Sequence, residues 1–185
     1  MVIHGIQPGD TLAVRTPGAW SSAMIRLGSA FLDRPNIVNH IAMAHHWDAS
    51  GTLWCIEGRP GGVGWRDGSD YLASPWTLSN VAQPKTDAQR KVLTDGAVAL
   101  LGTPYDWAAI VGDGLDDLHL WNPVHGKVQG HTVCSALLAC LHDKAVLARP
   151  RAVHAVTAEL TGDERRVQPA DWAAWDLTQG WLGTR

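Results

Sequence analysis

The stretch HTVCSALLAC, residues 131–140, carries two of the three cysteines in the chain. What a cysteine can do depends on whether its thiol ionises, because the thiolate is the nucleophile. Thr132 is a natural N-cap for the apolar-periodic segment VCSALLACLHDKAVL, which places Cys134 in the first turn of a helix. There, unpaired backbone N–H groups and the positive end of the helix dipole favour the thiolate. Cys140 lies further along the same helix and gains much less from it. Cys55, between Trp54 and Ile56 in a strand-like run, reads as structural.

A nucleophilic cysteine also needs a base, and the base needs a group that orients it. Nine histidines compete for the first role. His131 is near in sequence, but from across the helix cap it need not face the sulfur. His40 lies in an alternating run, on the strand face that carries Ala42 and Ala44, so small neighbours leave room over its ring. Glu57, in the partner strand of the same hairpin, is placed to accept a hydrogen bond from the far ring nitrogen of His40. The same residues also admit a plainer reading, as a small buried cysteine and a satisfied interior histidine.

The elements that would position these groups follow from pattern. QPGDTLAVRT (7–16) is a turn leading into a first strand. Trp20, Met24, Leu27 and Phe31 recur at helical spacing. NIVNHIAMAHHWD (36–48) and TLWCIEG (52–58), joined by Ala-Ser-Gly, form a hairpin in which Ile41, Met43 and Trp47 share one face. RPGGVGWRDGSD reads as a Gly-rich loop, without the features of a phosphate-binding or dinucleotide-binding loop. WTLSNVAQP suggests a further strand. TDAQRKVLTDGAVALLG (86–102) is the clearest helix, with a Thr86/Gln89 capping box and Gly102 as its stop. VQPADWAAWDL near the end carries a short helical pattern after Pro169. No repeat or linker divides the chain, so residues 1–185 read as a single domain of the α+β class.

Composition narrows the function. A net charge of −3, with no Lys/Arg cluster, leaves no electrostatic footprint for nucleic acid. No apolar run reaches the roughly 18 residues of a membrane span, and the N-terminus lacks the pattern of a secretory signal. A cytoplasmic or phage-associated protein with free thiols is the expectation. His125, His131 and Cys134 lack paired metal-ligand spacing, and Asp113, Asp116 and Asp117 lack the spacing of a calcium loop, so no metal or other cofactor is expected. The ten tryptophans could stack on sugars, but with one Phe and two Tyr they read instead as core and rim packing. His45-His46 reads as an exposed pair near the hairpin turn.

Motif order adds a resemblance. LGTPYDW followed downstream by CSALL resembles the nucleophile half of the NlpC-type papain-like cysteine hydrolases, and PGDTLAV followed by NHIAMA resembles their histidine half. Here the histidine half comes first, as in the circularly permuted YiiX/YaeF-like group. CIEGRPGGVGW and VQPADW are similar to that group's acidic strand and its C-terminal Pro-x-Asp segment. The resemblance covers roughly residues 7–175 and departs from the usual pattern at Asn39, commonly Ser, and at CSALL, which lacks an acidic residue. It implies a permuted papain-like fold with Cys134 as nucleophile, His40 as base and Glu57 as its orienting residue. It places Tyr105 beside the thiol, where the phenol would bind or polarise the substrate carbonyl, and it makes the Cys134 backbone N–H part of an oxyanion hole. The implied activity is an amidase or peptidase acting on peptide or peptidoglycan-stem amides. A thioesterase or lipid acyltransferase, and a non-catalytic binding module, are the alternatives.

Overall fold

The computed structural model describes residues 5–15, 38–75, 77–106 and 134–147, together with Trp172 and Gln179. The helix expected around Trp20–Phe31, the Thr132 cap, His125, His131, Asp113, Asp116, Asp117 and Pro169 lie outside the described residues.

An antiparallel sheet and helices make up the described chain, as the α+β expectation required. Strands β1 (Thr11–Val14), β2 (His40–Trp47), β3 (Leu53–Arg59), β4 (Gly62–Asp67) and β5 (Leu78–Ser79) form a five-stranded sheet in the order β4-β3-β2-β1-β5. Helix α1 (Ser69–Ala73) follows β4, α2 (Asp87–Val98) follows β5, and α3 (Cys134–Lys144) packs on α2, β2 and β3. Alternation along the strands gives the sheet two apolar faces. Ile41, Met43 and Ile56 join Leu93 and Ala97 of α2 and Leu137, Leu138 and Leu141 of α3 in one cluster. Leu12, Val14, Ala42, Ala44, Leu53 and Cys55 join Tyr71 of α1 in a second cluster on the other face.

The β2–β3 hairpin forms as expected, but a β-bulge between Ala44 and His46 shifts its register. That shift corrects the assignment of Trp47. Met43 pairs with Ile56, whereas Trp47 pairs with Leu53, so Trp47 stands on the face opposite Ile41 and Met43. Its indole N–H donates to the Ile6 carbonyl at 3.2 Å. The Gly-rich segment is also corrected. Gly62–Asp67 is strand β4, turned back on β3 at Pro60-Gly61 with Arg59 opposite Gly62. Gly62 is needed there: its φ is +106°, and a Cβ would lie 2.8 Å from the Thr103 carbonyl oxygen.

Helix α2 carries the expected capping box, with both the Thr86 and the Gln89 side chains engaged. Its buried face is Leu93 and Ala97, while Val92 is exposed. A polar lock fastens α2 to the start of β1. Asp10, fully buried, pairs with Lys85 Nζ at 2.9 Å and Arg90 Nη1 at 2.8 Å, and accepts from the Gln7 N–H at 2.9 Å. Of the described tryptophans, Trp172 is buried against His142, whereas Trp47 and Trp65 are 41% and 44% exposed. Trp172 packs in the core, and Trp65 packs at the rim, its ring roughly perpendicular to those of His45 and His46.

Candidate active site

Cys134 is the first described residue of α3, in the first turn of the helix that the sequence expects Thr132 to cap. The Ser135 N–H takes the sulfur as its acceptor, and so does the Ile41 N–H from β2. His40, the first residue of β2, contributes its ring to the same sulfur through a hydrogen bond. Burial by itself would push the thiol pKa up. The charge of His40, its hydrogen bond and the two backbone donors outweigh that effect and hold the thiol below the ordinary cysteine value. Cys55 shows burial acting without such partners: its thiol is pushed up to about 12.

The other side of the His40 ring faces Glu57, with Nε2 2.9 Å from Oε2. With Nε2 on the carboxylate, Nδ1 is the ring nitrogen left for the thiol. His40 thus stands where the two layers of the domain meet. Cys134 comes from the helix layer, and Glu57 projects from β3 on the face that carries Cys55 and Leu53. The histidine ring is slightly exposed, at 11% of its side chain, while Glu57 is buried.

Tyr105 is buried close to the same sulfur. Burial first, and the neighbouring Cys134 charge second, push its phenol well above the ordinary tyrosine range, so it stays protonated wherever the thiolate exists. Its approach to the site is set by the turn after α2, because Val63 N–H donates to Thr103 O and Gly102 N–H donates to Val63 O, tying that turn to β4.

The structure therefore brings together all four residues singled out from sequence: Cys134, His40, Glu57 and Tyr105. It adds two that sequence reasoning missed. Tyr71 of α1 donates its hydroxyl to Glu57 Oε2 at 2.7 Å. Arg59 forms an ion pair with Glu57 Oε1 and donates to the Tyr71 hydroxyl. Alternation along β3 already put Arg59 on the Glu57 face, so it could have been found. Nothing in Ser-Asp-Tyr-Leu-Ala announced Tyr71, since five residues carry too little periodicity. Asn39, the departure from the commoner Ser, is buried, and its N–H donates to Val14 O at 3.1 Å.

Chemically, the arrangement offers an ionisable sulfur, an imidazole able to move a proton to or from it, and a carboxylate that fixes the imidazole tautomer. Among the described residues no group of three metal-ligating side chains converges, and no helix is long and apolar enough to cross a membrane. Searches against family models, curated proteins and solved structures found no match to the chain.

Proposed function

We propose that this chain is a cysteine hydrolase that cleaves an amide bond through an acyl-enzyme, with Cys134 as nucleophile, His40 as base and acid, and Glu57 as the residue that orients His40. The observation that carries the reading is the unbroken chain from Cys134 sulfur through the His40 ring to Glu57, with the Ser135 and Ile41 N–H groups also on the sulfur. A buried structural cysteine would need none of these partners, as Cys55 illustrates.

In the reaction, the Cys134 thiolate adds to the substrate carbonyl and forms a tetrahedral oxyanion. Backbone N–H groups at the start of α3 and the Tyr105 hydroxyl are the donors suited to stabilise it. Protonated His40 then delivers its proton to the departing amine as the C–N bond breaks, leaving the acyl group on sulfur. Water enters, His40 takes one of its protons, and hydroxide addition to the thioester releases the acid and regenerates the thiolate. Glu57 remains ionised and stabilises the imidazolium that forms in each half-reaction.

The order of the motifs, histidine strand before cysteine helix, supports a circularly permuted papain-like arrangement of this α+β fold. That likeness makes peptide or peptidoglycan-stem amides the first substrates to try. Purified stem-peptide fragments incubated with the protein should give new amine and carboxylate termini by mass spectrometry, with Cys134→Ala inactive. If a thioester substrate is hydrolysed while every amide stays intact, the acyl-transfer chemistry stands and the amide assignment falls.

A further inference from the structure

We propose that Tyr71 and Arg59 are positioning residues that clamp Glu57 against His40 and so tune the reactivity of Cys134. This inference rests on the reading of Cys134 and His40 as nucleophile and base.

A glutamate side chain has several rotatable torsions, and one hydrogen bond to an imidazole does not freeze them. Glu57 is held at both oxygens. Oε2 receives His40 Nε2 and the Tyr71 hydroxyl together, and Oε1 faces Arg59. The two added groups are themselves fixed. The Tyr71 ring is buried in the apolar cluster with Leu12, Val14, Ala42 and Leu53, and its backbone is tied by its own N–H to Gly68 O and by its carbonyl to Thr77 Oγ1. Arg59 ends β3 on the face that carries Glu57, and it bridges the carboxylate and the phenol. The carboxylate is only 1% exposed, so it draws little stabilisation from water, and the guanidinium supplies the countercharge that burial demands. Burial also keeps the Tyr71 phenol protonated, which leaves it a permanent donor.

A merely structural ion pair would use the same atoms, but it would not govern a thiol on another element. The clamp does so through His40. When Glu57 is aimed at Nε2, the imidazole is held with Nδ1 presented to the sulfur. When Glu57 turns away, the ring is free to rotate and the sulfur loses its hydrogen-bond partner.

The test is the pH profile of Cys134 alkylation by iodoacetamide, followed by peptide mass spectrometry in the full chain, with thermal midpoints measured alongside. Tyr71→Phe removes a single hydroxyl, Arg59→Gln removes the charge and Arg59→Lys keeps it. Tyr71→Phe and Arg59→Gln should each slow Cys134 labelling near neutral pH by about tenfold. Arg59→Lys should recover most of the rate. The loss should not track the change in thermal midpoint. Wild-type profiles retained in folded Tyr71→Phe and Arg59→Gln would overturn the clamp and leave the nucleophile–base reading standing. Wild-type Cys134 that labels no faster than an ordinary thiol would remove that reading itself, and the clamp with it.

Discussion

His40 Nε2 and Glu57 Oε2 lie 2.9 Å apart across a separation of 17 residues, and the hairpin between them is what closes that distance. The contact leaves the opposite ring nitrogen for Cys134 and turns a surface-edge histidine into a group with one defined tautomer. The remaining machinery can be probed around this pair.

Tyr105 tests whether the phenol beside the sulfur takes part in catalysis. Its hydroxyl stays protonated beside the thiolate, which suits a donor to a developing oxyanion. Tyr105→Phe should lower kcat by roughly tenfold to a hundredfold with little change in KM, the pattern of an interaction made in the transition state. Steady-state kinetics on a cleaved substrate would check it. An unchanged kcat would mean that Tyr105 only fills space.

Asp10 tests the polar lock at the far end of β1. Val14, at the other end of that strand, pairs with His40, so the lock is remote from the sulfur. Removing one partner leaves Lys85, whose side chain is fully buried, without the carboxylate it faces. Asp10→Ala should cost about 3 kcal/mol or more in urea unfolding, while the Cys134 labelling profile of the folded variant stays as in wild type. A stability change under about 1 kcal/mol would show that the lock is an ordinary surface ion pair.

Gly62 links the sheet edge to the segment that carries Tyr105. Any side chain there meets both a positive φ and the Thr103 carbonyl oxygen, a backbone atom with little room to move. Gly62→Ala should destabilise the domain by about 2 kcal/mol. It should also lower activity more than a comparably destabilising change distant from the site, because Val63 and Thr103 hold the turn ahead of Tyr105. Denaturation and kinetics on the same preparation would separate the two effects.

How much of this was legible in the sequence follows from the range of the interactions involved. That His40 and Glu57 lie on paired strands could be read because a hairpin is local, but alternation counted from the turn alone would set Glu57 opposite Met43; the bulge between Ala44 and His46 leaves Met43 opposite Ile56 and so puts Glu57 on the His40 face. The capping box at Thr86 was legible because its two partners are three residues apart. Trp47 was misassigned because a bulge inserts one residue without any sequence mark, and each later side chain changes face. The segment Gly61–Asp67 resembled a loop by its glycines, yet the backbone approach to Thr103 requires one of them inside a strand pairing. The Asp10 lock depends on a contact across distant parts of the chain, Asp10 to Lys85 being 75 residues, and periodicity carries no information over that range; Tyr71 lies only 14 residues from Glu57, but no strand alternation links its five-residue helix to β3. The Cys134 position was legible at its helix end, but its partners Ile41 and His40 came from a separate element.

The central claim is that His40 makes Cys134 a thiolate, and the direct measurement is the alkylation rate of Cys134 from about pH 5 to about pH 9 in wild type and in His40→Ala. The partners of Cys134 hold its thiol below the ordinary value, so the wild-type rate should begin to rise at a lower pH than that of an ordinary thiol. His40→Ala keeps the burial, which raises the thiol, and removes the charge that lowers it. The onset should then move to higher pH, and the neutral-pH rate should fall at least about tenfold. The result that would contradict the account is a wild-type Cys134 that labels only as an ordinary thiol does, with a profile that His40→Ala leaves unchanged.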